Sequence, residues 1–241
     1  MKFYQQNYCL YCDDPIQPSL GWQEFLFGPK EVLLCQKCEG KLEKIQERAC
    51  NLCGRSSKGQ DSQYFKDNLC YDCIRWESSK KWKGVLVKNI SLYEYNGFLA
   101  ELIAQFKYRG DYVLAKIFAA DIKNELSNLE YDVLVPIPLS EERQYERGFN
   151  QIEALVKEAR IEVQHVLSRK HTEKQSKKSR EERIHLPQVF EVLPGKNEII
   201  KGKRILLIDD IYTTGSTLRH AALTLLQEGA RMVQSLALAR G

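Results

Sequence analysis

At 241 residues, 43% hydrophobic and 28% charged, the chain has ordinary soluble globular composition and length for one mid-sized domain plus a small one. A formal net charge of +4 tolerates polyanionic ligands without demanding them, so where the charge sits matters more than its total. No stretch approaches the roughly 20 apolar residues of a membrane-spanning helix, and residues 1–6 lack the apolar core of a secretion signal. The expectation is therefore a cytoplasmic protein with no membrane span, reaching the inner face of a membrane only through recruitment by partners.

All eight cysteines lie between residues 9 and 73, as four Cys-x-x-Cys pairs: Cys9/Cys12, Cys35/Cys38, Cys50/Cys53 and Cys70/Cys73. A two-residue gap lets both thiolates of a tight turn face one ion, and two such turns complete a tetrahedral zinc shell. Eight sulfurs suit two zinc ions. A disulfide framework needs an oxidising compartment, which the missing secretion signal argues against. No histidine lies among them, so both sites are expected to be all-cysteine, closed and structural. Neighbouring pairs combine if two zinc ribbons stand in series; a cross-brace would join the first pair with the third and the second with the fourth. Between the ribbons, residues 41–48 read as a short helix with a narrow apolar stripe.

The cysteine spacing ends near Arg75, which bounds a zinc-binding region at 1–75. Residues 76–92 read as a basic and aromatic linker before a larger domain at 93–241. Trp76, Lys80, Lys81, Trp82 and Lys83 mix rings for base stacking with cations for phosphate, as single-strand binders do, although a solvated linker has the same composition.

From Tyr93 onward helical periods alternate with short apolar strands, which implies an α/β fold with a parallel sheet flanked by helices. Leu99, Leu102, Ile103 and Phe106 share one helical face; Val113, Leu114, Ile117, Phe118 and Ile122 share another. Residues 131–135 read as a buried strand stopped by Pro136 and Pro138, and residues 150–159 as a helix. After a polar stretch come a strand at 204–208, a loop at 209–216, a helix from Thr217 ended by Gly229, and a strand at 232–239.

In an open parallel sheet, ligands bind beyond the carboxyl ends of strands. Asp209 and Asp210 fall there, followed by Thr213, Thr214, Gly215, Ser216 and Thr217, whose hydroxyls and amides at a helix N-terminus can cradle a phosphate. Such a pair could merely cap a helix, but four apolar residues, two acids and Thr-Thr-Gly-Ser-Thr in fixed order favour a sugar phosphate: carboxylates for the ribose hydroxyls, loop for the 5′-phosphate.

This segment resembles the phosphoribosyl diphosphate (PRPP) motif of type I phosphoribosyltransferases. The resemblance implies that Asp209 and Asp210 are the catalytic pair, holding the ribose 2′- and 3′-hydroxyls and stabilising charge at the ribose C1. It places the 5′-phosphate on residues 213–217 and the diphosphate, with Mg²⁺, near Pro136 and Ile137. It also implies a mobile loop closing over the diphosphate, for which residues 169–183 fit by charge: Arg169, Lys170, Lys174, Lys177, Lys178, Arg180 and Arg183. Purine-salvage members carry an aspartate three residues after the second acid; Thr213 stands there, which argues against a hypoxanthine or guanine acceptor.

Arg143, Glu146, Arg147, Gly148, Phe149, Asn150 and Gln151, together with the four cysteine pairs, resemble the ComF family of late competence proteins. That resemblance spans essentially the whole chain. It implies a phosphoribosyltransferase-like domain behind a double zinc ribbon, and a role in DNA uptake during natural transformation, importing single-stranded DNA with a helicase partner. An active phosphoribosyltransferase with an unidentified acceptor is the alternative.

Overall fold

The computed structural model describes residues 8–16, 31–47, 49–56, 64–108, 111–169 and 189–241. The chain enters through cysteine-bearing turns, with a short helix α1 (Gln36–Glu39), a two-residue-per-arm hairpin β1 (Phe65–Lys66) and β2 (Leu69–Cys70), and helix α2 (Tyr71–Ser78). It continues as β3 (Asn89–Glu94), α3 (Gly97–Tyr108), a 3₁₀ turn (Tyr112–Leu114), α4 (Ala115–Ser127), β4 (Val133–Pro136), α5 (Glu141–Arg147) and α6 (Gln151–Glu158). β5 (Leu167–Arg169), β6 (Phe190–Val192), α7 (Asn197–Ile200), β7 (Arg204–Tyr212), α8 (Ser216–Gln227) and β8 (Met232–Arg240) complete it.

The sheet has the order β3-β8-β7-β4 and every pairing in it is parallel. Alternate residues of β7 bury against opposite faces, as in a sheet covered on both sides. Ile205 and Leu207 join Leu218, Ala222 and Leu225 of α8, whereas Leu206 and Ile208 join Leu102 and Phe106 of α3 and Phe118 and Ile122 of α4. The helical faces read from the sequence are the faces that pack, each buried Leu or Phe adding roughly 1.5–3 kcal/mol of transfer free energy. Asn96 starts α3, its Oδ1 accepting from Leu99 N at 2.9 Å.

β4 ends at the pair Pro136↔Ile208, while β7 and β8 stay paired as far as Tyr212↔Arg240. Proline brings no N–H to extend a ladder. The last residues of β7, Asp209 and Asp210 among them, therefore stand without β4 beside them. The loop expected at 209–216 begins later than the sequence suggested, because β8 keeps pairing with these residues.

Two expectations are corrected. Of the helix expected at 41–48, the described residues 41–47 are not helical: Ile45 N donates to Leu92 O at 2.9 Å and Glu94 N to Glu43 O at 2.8 Å, with Lys44 opposite Tyr93. A helix this short has an unfavourable nucleus, whereas β3 offers ready backbone partners. Residues 76–92 are not a solvated linker either. Trp76, Trp82, Val85, Leu86 and Ile90 are buried, and the two indoles meet edge to face at 5.1 Å.

Candidate functional site

The eight cysteines assemble as two groups, Cys9/Cys12/Cys35/Cys38 and Cys50/Cys53/Cys70/Cys73, with the ligand sulfurs of each group within 4.8 Å of one another. The serial pairing is therefore the one formed, not the cross-brace. The sulfur separations of 3.7 Å for Cys12–Cys35 and Cys12–Cys38, and 3.6 Å for Cys53–Cys70, test the metal. A tetrahedron with Zn–S bonds of about 2.3 Å has edges of about 3.8 Å. Both groups fit zinc.

The sugar-phosphate candidate forms at the step in the sheet. Asp209 and Asp210 are partly buried, and Asp210 N donates to Asp209 Oδ1 at 2.9 Å. Asp210 is ion-paired with Lys107 from the last turn of α3. Burial, reinforced by the neighbouring Asp210 charge, pushes the Asp209 carboxyl up to about 7, against the opposing pull of its backbone hydrogen bond, Lys107 and Arg169. The acids line a cavity of about 120 Å³ with Lys107, Arg143, Arg147 and Arg169. Burial, then the like charge of Arg143, lowers the Arg169 pKa below its ordinary value.

Past the acids the backbone turns into α8. Gly215 takes φ +77°, and an added Cβ would lie 2.1 Å from Tyr212 Oη and 2.4 Å from Arg219 Nη1. Only glycine fits there. Twelve-residue α8 then presents its N-terminal amides, and Thr217 reaches the cavity wall. Thr213 is exposed, Thr214 and Ser216 are half-buried, and the Thr214 carbonyl accepts from Trp76 Nε1 at 2.9 Å.

The structure also gives the Arg-Gly-Phe-Asn-Gln run its physical content. Gly148 closes α5 in the left-handed region at φ 74°. Phe149 packs against Phe106 and Tyr112 at 5.5 and 5.6 Å. Asn150 caps α6, its Oδ1 accepting from Ile152 N at 2.9 Å, and Arg147 donates to Gln151 Oε1 at 2.8 Å. This run delivers Arg143 and Arg147 to the cavity.

Of the residues read from sequence, Ile137, Arg169, Asp209, Asp210 and Thr217 line one cavity, whereas Pro136 lines an adjoining one of about 460 Å³. Lys170, Lys174, Lys177, Lys178, Arg180 and Arg183 lie outside the described residues. The aromatic half of the single-strand reading fails at its rings: Trp76 and Trp82 are 4% and 3% exposed, so neither can stack on a base. Lys80, Lys81 and Lys83 are exposed. Sequence reasoning missed Lys107, whose one local signal is a cation in the last turn of a buried helix, and Arg240, a lone charge ending the apolar run of β8.

Residues 114–241 match the phosphoribosyl transferase domain family. Competence protein ComFC of Bacillus subtilis (strain 168) is 39% identical over 237 residues, covering 96% of this chain and 94% of that protein. The chain belongs to the ComF family. Competence protein ComFC of Streptococcus pneumoniae (strain ATCC BAA-255 / R6) shares 32% over 233 residues, covering 96% and 99%. DNA utilization protein YhgH of Escherichia coli (strain K12), a more distant ComF relative, shares 23% over 239 residues, covering 86% and 96%. The parallel sheet with flanking helices and the N-terminal cysteine groups are the ComF architecture expected from the sequence.

Proposed function

We propose that this ComF-family chain binds PRPP with Mg²⁺ at the carboxyl end of β7 and serves DNA uptake in natural transformation, a reading supported by relatives named competence protein ComFC. One observation carries the reading: paired carboxylates, a glycine-only turn and the N-terminus of α8 follow one another at the step where β4 stops. Ribose hydroxyls donate to Asp209 and Asp210, the sugar taking over from Lys107 as the partner of Asp210. Amides and hydroxyls of residues 213–217 hold the 5′-phosphate. The diphosphate lies toward Ile137, within reach of Arg143, Arg147 and Arg169, and Pro136 ends the strand that places that turn. Mg²⁺ bound with PRPP would neutralise charge on the diphosphate.

Single-stranded DNA and a helicase of the uptake machinery are the proposed partners. Lys80, Lys81, Lys83 and Lys88 are exposed for phosphate contacts. With the indoles buried, base stacking falls to Tyr64 and Tyr71, 51% and 49% exposed, which come opposite one another when the Phe65↔Cys70 register is extended by one residue. Turnover is the second reading, favoured by the adjoining cavity of about 460 Å³, which shares Pro138, Leu139 and Asn150 with the first and has room for an acceptor.

Calorimetric titration of PRPP with Mg²⁺ tests the site. Binding weakened at least about tenfold by Asp210→Asn is expected, since a hydrogen bond to a charged group is worth about 1.5–3 kcal/mol. Absence of PRPP binding by the zinc-loaded protein would reject the reading. Fluorescence anisotropy of single-stranded DNA with and without PRPP then reads linkage, and diphosphate release separates transferase from binding protein.

A further inference from the structure

The second cysteine centre touches the phosphate loop from behind. Trp76, three residues beyond Cys73 on α2, donates to the Thr214 carbonyl at 2.9 Å. Arg240 donates through Nη1 to the carbonyls of Tyr212 and Thr213 at 3.2 and 3.0 Å, and its Nη2 reaches Cys53 Sγ at 3.4 Å. Tyr212 lies under the Arg240 guanidinium at 4.8 Å and accepts at its hydroxyl from Arg219, which in turn stacks on Trp76 at 4.8 Å. All four side chains are buried.

Three consecutive carbonyls, of Tyr212, Thr213 and Thr214, thus accept from side chains on the zinc side, that of Tyr212 also from Gly241 N at 2.9 Å. In a trans peptide the N–H points opposite to the C=O, and no peptide among the described residues is cis. Fixing those carbonyls therefore aims the amides of Thr213, Thr214 and Gly215 away from the metal, as a phosphate cradle requires. A buried guanidinium also needs an anion. Arg240 has its contact in the Cys53 sulfur at 3.4 Å, an atom that a metal held by the four cysteines would fix in place.

We infer that Arg240 is a positioning residue through which metal at Cys50/Cys53/Cys70/Cys73 holds the phosphate loop in its binding shape, so that this metal and the phosphorylated sugar stabilise each other's binding. The link to the sugar rests on the PRPP reading above; the link between metal and loop does not. Without the metal, the Cys53 sulfur is no longer fixed, the guanidinium resting on it lets go of the Thr213 carbonyl while Tyr212 O stays on Gly241 N, and the amides no longer converge.

The test uses the full-length, two-zinc protein and Arg240→Met, which keeps all eight sulfurs, with Arg240→Lys and Cys12→Ser beside it. Arg240→Met should retain two zinc ions per chain by elemental analysis. Amide exchange at residues 213–215, read by mass spectrometry, should accelerate about tenfold or more, and PRPP affinity fall by a similar factor, within the ordinary range of site–site coupling. Arg240→Lys should rescue in part, because an ammonium cannot span two carbonyls and a sulfur as a planar fork can. Reciprocally, PRPP should slow chelator-driven release of one zinc of the two in wild type and of neither in Arg240→Met. Cys12→Ser, which empties the first centre, should leave loop exchange unchanged. Unchanged exchange in Arg240→Met, or equal loosening in Cys12→Ser, overturns the inference. If wild type binds no PRPP, the site reading falls, and the exchange measurement still decides the coupling.

Discussion

The first and second cysteine centres have the same ligands and different surroundings. Cys12 is exposed and Cys35 half-buried, and the first group rests on the outside of α3 and α4 through Tyr11, Phe98 and Ile117. Tyr11 adds an edge-on contact with Phe98 at 4.8 Å and a hydrogen bond to Glu101 Oε2 at 2.7 Å. The second group is no more than 1% exposed and belongs to the same apolar cluster as β7 and α8. Asn89 welds it to the sheet, donating to Cys53 O at 3.1 Å and accepting from Ser235 Oγ at 2.8 Å. Equal coordination chemistry therefore has unequal structural consequences: one metal secures a surface module, the other is part of the core that shapes the ligand loop.

The largest test of that contrast is ligand removal. Cys73→Ser and Cys12→Ser should each lower zinc content from two per chain to one. Cys73→Ser should also abolish cooperative melting, since structural zinc supplies roughly 10–16 kcal/mol of apparent folding free energy and a domain has only about 5–15 to lose. Cys12→Ser should leave the melting of the sheet within about 4 °C of wild type. Similar damage from both would erase the distinction.

A smaller effect is expected where the second centre meets the loop. Gly215→Ala adds a Cβ overlapping Tyr212 Oη in a left-handed backbone, at a cost of about 2–3 kcal/mol. Melting should fall by roughly 5–10 °C, with zinc content unchanged. An alanine variant of wild-type stability would mean that the Tyr212–Arg219 contact behind the loop is soft.

The smallest effect is a pH dependence. Asp209 titrates near 7 in the folded chain, above the ordinary carboxylate range, so between those values the folded state binds more protons than the unfolded one. Its ionisation therefore destabilises the fold at pH 8, and that penalty shrinks as pH falls through 7 toward 4. Asp209→Asn should be more stable than wild type at pH 8, by a margin that shrinks progressively at lower pH, measured as urea midpoints. A constant difference across pH would show that the carboxyl is not desolvated.

Local features were legible in the sequence. The cysteine spacing names its own chemistry, the stripe Leu99/Leu102/Ile103/Phe106 buries as its period says, and the Asp-Asp to Thr-rich run lies at a strand's carboxyl end. What failed was decided by distant chain. Trp76 and Trp82 looked solvated because the lysines around them face outward, while their rings pack against α8 and its His220. Leu42 and Ile45 suggested a helical stripe because nothing in the segment reveals that β3 will supply its hydrogen bonds. Arg240 reaches Cys53 across 187 positions, beyond any window of local pattern.

The non-helical run past Leu42 has one more consequence. β3 is the outermost strand of the sheet on its side, and the Glu43–Glu94 and Ile45–Leu92 backbone bonds occupy its free flank. The first zinc module thus ends in a strip that blunts an aggregation-prone border. Cutting the chain before β3 to isolate the transferase-like part would bare a row of unpaired amides and carbonyls, and the trimmed protein should self-associate flank to flank.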